Sequence, residues 1–313
     1  MVSTESMPAV EARDLTKRFG TVTAVDRLTL SIPPGEIFGL VGPDGAGKTT
    51  TLRLLTGVMQ PTTGSVSVLD QDITRDPEAV RHRIGYVPQN SSLYADLSVL
   101  ENLQFHADLF GIPRAERDRK AAELLAFSRL EPFAKRLCRN LSGGMRQKLA
   151  LCAALIHRPE VLFLDEPTIG VDPVSRREFW LLIYQLLQQG LTLLVTTPYL
   201  DEAERCHRVG LMDHGRLVAC DSPSGLRGIL PGTLLELRGP APETLSPLLS
   251  RLPEVREAQV FGDALHLVVA DATRDLPRIQ ALLEAEGIPE AQLRPIVPSL
   301  EDIFVTLLRE RKT

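Results

Sequence analysis

The chain has 313 residues, enough for two domains, and its 43% hydrophobic share and net charge of −5 are ordinary for a globular protein. That composition excludes disorder and coiled coil, and the basic residues are mixed with acidic ones, leaving no electrostatic footprint for nucleic acid. No apolar run reaches the roughly 18 residues that span a bilayer, and the opening MVSTESMPAVEARDL has no basic patch followed by an apolar core, which predicts a soluble, cytoplasmic protein.

The chain opens with VEARDLTKRF and DRLTLSIPPGE, whose alternation (Leu28, Leu30, Ile32) between turn residues predicts antiparallel strands. The apolar run IFGLV predicts a buried strand, a glycine-rich loop follows, and TTTLRLLTGV has helical spacing. Residues from about 96 to 157 read as mostly helical, with apolar positions at Leu100, Leu103, Phe105 and Leu109, then Leu124, Leu125 and Leu130. Within them RAERDRKAAE, with charges of both signs, reads as a solvated helix face. VLFL at 161–164 predicts another buried strand. A helix with Phe179, Leu182, Ile183, Leu186 and Leu187 on one face runs to Gly190, which suits a helix end, and LTLLVTT predicts the next strand. Strands that alternate with helices and lack a polar face predict a largely parallel sheet covered on both sides.

The pattern changes at SPSGLRGILPGT, 222–233, where Gly, Pro and small residues cluster. Beyond it the order is strand (234–237), helix (243–252), strand (255–260), a turn at Gly262 and Asp263, strand (265–269), helix (276–286), strand (292–296) and helix (299–309). A βαββαβ order with an added helix predicts a small α+β, ferredoxin-like domain. It carries no cluster of chemistry and reads as an interaction or regulatory module. The four cysteines, Cys138, Cys152, Cys206 and Cys220, form no C-x-x-C pair and read as reduced thiols rather than metal ligands.

GPDGAGKT, 42–49, matches G-x-x-x-x-G-K-[ST] between a predicted strand and a predicted helix. Its glycines let backbone N–H groups turn inward on phosphates, Lys48 supplies a point charge, and Thr49 offers a hydroxyl to Mg²⁺. In VLFLDEP, Asp165 ends a buried strand, where it can hold a metal directly or through water, and Glu166 can orient or deprotonate an attacking water. Alone, the two acids could equally cap the next helix. In LSGGMRQ, Ser142 with Gly143 and Gly144 puts a hydroxyl and unobstructed N–H groups at a positive helix end, a second anion site.

With these three motifs in order, the chain resembles the ATP-binding subunit of an ABC transporter over residues from about 8 to 226. The resemblance implies a P-loop NTPase (ABC-type) α/β nucleotide-binding domain over 1–228, with antiparallel β and helical (about 90–157) subdomains, followed by an accessory domain over 229–313. It implies ATP and Mg²⁺ as cofactors, with Gly42, Asp44, Gly45, Ala46, Gly47, Lys48, Thr49 and Thr50 around the phosphates. Phe19 in TKRFG matches the aromatic that stacks on adenine. Gln89 in YVPQN matches the glutamine that contacts Mg²⁺, beside Thr49 and Asp165, and Asp172 in TIGVDP matches the dimer-contact aspartate. Each has a plainer alternative: Phe19 as core, Gln89 as a turn residue, Asp172 as a helix cap. Head-to-tail dimers are implied, with ATP between one subunit's phosphate loop and the other's LSGG, and the helical region would carry the groove for membrane-subunit helices.

The segment AVDRLTLSIPPGEIFGLVGPDGAGKTT, with the ending PSLEDIFVTLL, resembles the ATPase of ABC-2-type exporters, a class that handles drugs, antibiotics and some polysaccharides. The implied partner is a transmembrane subunit, with the chain peripheral on the cytoplasmic face of the plasma (inner) membrane and no nucleic acid bound.

Two positions depart from the family pattern. Where the family has a histidine that contacts the γ-phosphate, this chain has Pro198, which fits a first helical turn but donates no hydrogen bond. Loss of one such contact costs about 10² to 10³ in rate. Thr197 and Tyr199 carry hydroxyls that could substitute, while His207 is too far along the predicted helix. Asp44 stands where the family most often has asparagine, a carboxylate near triphosphate. These two positions suggest a modified site working beside a different ATPase subunit. The readings are therefore an ATP-hydrolysing exporter subunit, a weakly hydrolysing ATP switch in a heterodimer, and a soluble ABC protein acting on ribosomes or DNA, against which stand the single set of motifs and the lack of a basic surface.

Overall fold

The computed structural model describes residues 7–90, 92–239, 242–288 and 291–310. The chain divides into two compact units, Met1–Pro223 and Ser224–Thr313.

The first unit runs β1 (Val10–Phe19), β2 (Val22–Ile32), β3 (Ile37–Val41), α1 (Lys48–Leu55), β4 (Thr63–Val68), β5 (Gln71–Asp72), β6 (Ile84–Val87), α2 (Val99–Leu109), α3 (Arg114–Ser128), α4 (Gly143–Leu155), β7 (Val161–Asp165), α5 (Pro173–Gln188), β8 (Thr192–Thr197), α6 (Leu200–Ala203), β9 (Arg208–Asp213) and β10 (Arg216–Asp221), with α7 (Pro223–Arg227) across the division. An antiparallel sheet has the order β2-β1-β4-β5, and Leu28, Leu30 and Ile32 point from it into the core as their alternation requires. The second sheet, β10-β9-β3-β8-β7-β6, is parallel except for the edge strand β10.

Every residue of β3, β7 and β8 is buried, which explains why these strands read as unbroken apolar runs. Their pairing places three carboxyl ends side by side: Val41 faces Thr197, and Thr196 faces Asp165. Chemical groups in open α/β sheets gather at this edge.

The mostly helical reading of residues 96–157 corresponds to three α-helices, α2, α3 and α4. Gly111 (φ +68°) and the following Pro113 separate α2 from α3, and Arg129 (φ +59°) ends α3. Ser98 and Glu101 start α2 with a reciprocal capping box. The helices pack around Val99, Leu103, Leu125, Leu149 and Cys152. Burial of each such leucine contributes about 1.5–3 kcal/mol.

The second unit runs β11 (Thr233–Arg238), α8 (Pro242–Leu249), β12 (Val255–Phe261), β13 (Ala264–Val269), α9 (Ala272–Ala285), β14 (Gln292–Ile296) and α10 (Leu300–Glu310). Its antiparallel sheet has the order β12-β13-β11-β14. Leu235, Leu237, Leu265 and Leu267 face α8 and α9 through Leu249, Ile279 and Leu283. On the alternate positions His266 stacks on Phe261 and shares a 2.6 Å hydrogen bond with Asp302 of α10. Helix α9 starts earlier than its expected Leu276, because the Asp271 side chain caps Thr273 and Arg274 and carries the helix past Pro277.

Candidate active site

The loop between β3 and α1 is shaped by three glycines with different tasks. A Cβ on Gly42 would lie 2.1 Å from the Met212 carbonyl oxygen, and one on Gly47 (φ +102°) would lie 2.4 Å from that of Ala24, so both permit close backbone packing. Gly45 (φ +81°) has no atom within 4 Å of such a Cβ and borders open space. The first turn of α1 has no side-chain cap and no acidic residue, so its N–H groups present a positive end that suits phosphate. Ala46 is buried, Thr50 is half-buried, and Asp44 is exposed on the loop.

Lys48 does not reach outward. Its Nζ donates to the carbonyls of Gly42 (2.7 Å) and Pro43 (3.0 Å) and forms an ion pair with Glu166 Oε1 at 3.0 Å. Gln89 Nε2 donates to the other oxygen, Glu166 Oε2, at 2.8 Å. Glu166 itself has φ +49°, an uncommon conformation for a side-chain-bearing residue. Its N–H is held by Thr196, through the hydroxyl (3.0 Å) and the carbonyl oxygen (3.1 Å).

Asp165 sits beside it with three side-chain partners converging. Oδ1 accepts from Thr49 Oγ1 (3.0 Å) and Thr196 Oγ1 (2.8 Å), and Oδ2 accepts from the Tyr86 hydroxyl (3.4 Å). Burial, and then the Asp165 charge, push the Tyr86 phenol up to about 12, so it stays a proton donor at neutral pH. Among the described residues no group of three or more His, Cys, Asp or Glu could cage a metal. One carboxylate with one hydroxyl beside a phosphate loop instead suits Mg²⁺, which keeps waters and phosphate oxygens as its other ligands.

The remaining sequence-derived residues lie outside this cluster. Phe19, 48% exposed at the end of β1 with Lys17 Nζ 5.3 Å from its ring centroid, is not a core residue. Ser142 caps α4 by accepting from Met145 N–H at 3.3 Å. A Cβ on Gly144 would strike Ser175 at 2.4 Å, whereas one on Gly143 would only touch the Gly170 carbonyl at 3.4 Å. Gly144 thus lets α4 pack tightly on the start of α5, and Gly143 is the less obstructed of the pair. Asp172 caps α5, accepting from Val174 and Ser175 N–H groups, so its plainer reading is realised in this chain.

At the Pro198 corner the Thr197 hydroxyl is committed elsewhere. Thr197, 1% exposed, donates its hydroxyl to Glu202 (2.8 Å) and accepts from Tyr199 N–H (3.0 Å). The Tyr199 ring lies against the Arg176 guanidinium at 4.6 Å. His207 Nδ1 accepts from Ile37 N–H at 3.0 Å, a structural role in the sheet. Sequence reasoning missed Tyr86, Thr196 and Glu202. The signal for Thr196 was a hydroxyl inside an otherwise apolar strand.

A separate groove of about 530 Å³ lies between β6 and the helices, lined by Val58, Tyr86, His106, Leu109, Phe110 and His157 among others. Val58 and Leu109 stay 67% and 64% exposed at it. Among the described residues no helix is long and apolar enough to cross a membrane.

The profile of the ABC transporter family matches residues 25–169. The chain is similar to the Nod factor export ATP-binding protein I of Paraburkholderia xenovorans (strain LB400), with 39% identity over 301 residues covering 96% of each chain. It is similar to the probable multidrug ABC transporter ATP-binding protein YbhF of Escherichia coli (strain K12), with 41% identity over 94% of this chain and 51% of that one. The chain therefore spans about half the length of that relative. Among solved structures, the dimeric bacterial ABC transporter cassette MJ0796 is similar, with a TM-score of 0.63 at 27% identity over 68% of this chain and 98% of that one. The post-hydrolysis dimer of the same cassette, bound to ADP and Pi, gives 0.62 at 28% identity over the same shares.

Proposed function

Because the chain belongs to the ABC transporter ATP-binding family, we propose that it hydrolyses ATP to power an ABC-2-type exporter through ATP-dependent dimerisation. The observation that carries this reading is Glu166, buried at the mouth of the phosphate loop and bonded to both Lys48 and Gln89. A carboxylate so placed takes a proton from the attacking water, while Lys48 directs positive charge at the phosphates. The loop amides of 45–50 bind the phosphates, Phe19 stacks on the adenine, and Ser142 with Gly143 meets the ATP held by the opposite subunit. Thr49, Asp165 and Gln89 would hold Mg²⁺, which supplies charge neutralisation to the departing phosphate.

The groove lined by Leu109 and Phe110 receives a transmembrane subunit, which gives the chain its place on the cytoplasmic face of the membrane. The residues from 229 onward form a ferredoxin-like accessory module, in keeping with a strand order of fourth, first, third, second. Substrate choice belongs to the membrane partner. Co-purification of a tagged chain with its membrane neighbours tests this assignment: recovery of a multi-span subunit is the expected result, and a chain that captures none contradicts it.

One observation favours a second reading, a weakly hydrolysing subunit of a heterodimer. Pro198 donates nothing, and Thr197 is locked to Glu202, so neither supplies the contact that the family's histidine makes.

A further inference from the structure

Glu202 is fully buried, yet no step of hydrolysis as described above uses it. Its Oε1 accepts from Thr168 Oγ1 at 2.6 Å and its Oε2 from Thr197 Oγ1 at 2.8 Å, with Arg176 Nε 3.6 Å from Oε1. Both threonines are 1% exposed. Thr168 lies two residues after Glu166 on the loop leaving β7. Thr197 adjoins Thr196 at the end of β8, and Thr196 holds the Glu166 N–H. The contacts close a ring: Glu166, Thr168, Glu202, Thr197, Thr196 and back to Glu166.

Inside that ring Glu166 keeps φ +49°, a conformation that an unconstrained glutamate leaves. A carboxylate suits the central position because each oxygen accepts one hydroxyl proton, whereas a glutamine has a single acceptor oxygen and must turn one threonine round.

We propose that Glu202 is a positioning residue for ATP hydrolysis, clamping Thr168 to Thr197 so that the backbone of Glu166 holds its carboxylate at the phosphate loop. The proposal rests on the hydrolytic reading of Glu166. It assigns work to the acidic helix that follows Pro198: the corner that lacks a phosphate contact serves instead as the anchor of the base.

The test uses the full chain and five variants, Glu202→Ala, Glu202→Gln, Thr197→Val, Thr168→Val and the double Glu202→Ala with Thr168→Val, with three measurements. These are deuterium uptake at the Glu166 amide without nucleotide, mant-ATP affinity, and steady-state kcat and KM for ATP. Glu202→Ala removes two hydrogen bonds to a charged group and should raise exchange at Glu166 and lower kcat about tenfold or more, with KM and mant-ATP affinity within about twofold of wild type. Glu202→Gln should fall between, and Thr168→Val added to Glu202→Ala should lower kcat no further. Unchanged exchange, unchanged kcat, or a loss of ATP affinity as large as the loss of kcat would overturn the clamp. Should Glu202→Ala not fold, the near-isosteric Thr197→Val decides by the same criteria. A wild-type chain without hydrolysis would sink the hydrolytic reading, while the exchange measurement still decides whether Glu202 holds Glu166.

Discussion

Lys48 and Glu166 meet at 3.0 Å with side chains only 3% and 5% exposed, so the phosphate-loop lysine and the carboxylate proposed as the base form an ion pair inside the protein. Removing one member leaves the other charged and buried, which costs about 3–5 kcal/mol. Lys48→Met should therefore lower unfolding free energy by that order in denaturant titrations. The double variant with Glu166→Gln should recover most of it. A triphosphate competes with Glu166 for the same lysine, so saturating ATP should change the stability of wild type more than that of Lys48→Met.

Thr196 gives one hydroxyl two tasks: it donates to Asp165 and accepts from the Glu166 amide. Thr196→Val keeps the shape and removes both bonds, and should lower kcat about tenfold, since one bond to a charged group is worth roughly 1.5–3 kcal/mol. It should also shift the Mg²⁺ concentration giving half-maximal rate, through Asp165. Thr196→Ser should restore both. Equal kinetics for valine and serine would remove Thr196 from the site.

Pro198→His restores a donor at a corner where Thr197 is already committed. If the missing contact limits turnover, phosphate release should rise by up to about 10² to 10³, with mant-ATP affinity little changed. Equal, family-typical rates in both proteins would end the idea of an impaired site.

In the second unit, burial works to raise Asp302, but hydrogen bonds from His266 and Ser299 outweigh it and hold the carboxyl below its ordinary 3.8. A depressed folded value means the unfolded chain binds the proton first. The stabilisation is therefore complete above the ordinary value and is lost as pH falls through the lower, folded one. Asp302→Asn should destabilise this unit at pH 7 by about 1–3 kcal/mol. The gap from wild type should close as pH drops below 3.8, measured by denaturant unfolding at each pH.

The legible parts of the site were those whose chemistry is written in short contiguous motifs. GPDGAGKT and VLFLDEP put Lys48 and Thr49 at the start of α1 and Asp165 and Glu166 at the end of β7, and parallel pairing of buried strands brings the two segments together. What stayed hidden depends on pairing between distant segments. Glu202 looked like one acid among several in YLDEAE, and only the register of β7 beside β8 sets it between Thr168 and Thr197. Strand β6, four residues long, is too short for periodicity to declare it, so Tyr86 went unnoticed. The α9 start was misplaced because Pro277 resembles a first-turn proline, while the Asp271 cap acts five residues earlier than Leu276 suggests.

Glu166 as the hydrolytic base is tested most directly by phosphate release measured beside mant-ATP binding, for the wild-type chain and Glu166→Gln. The geometry predicts release from wild type, a loss of about 10² or more in the variant, and ATP binding by both. Equal release from the two proteins, or binding by wild type with no release at all, would contradict it.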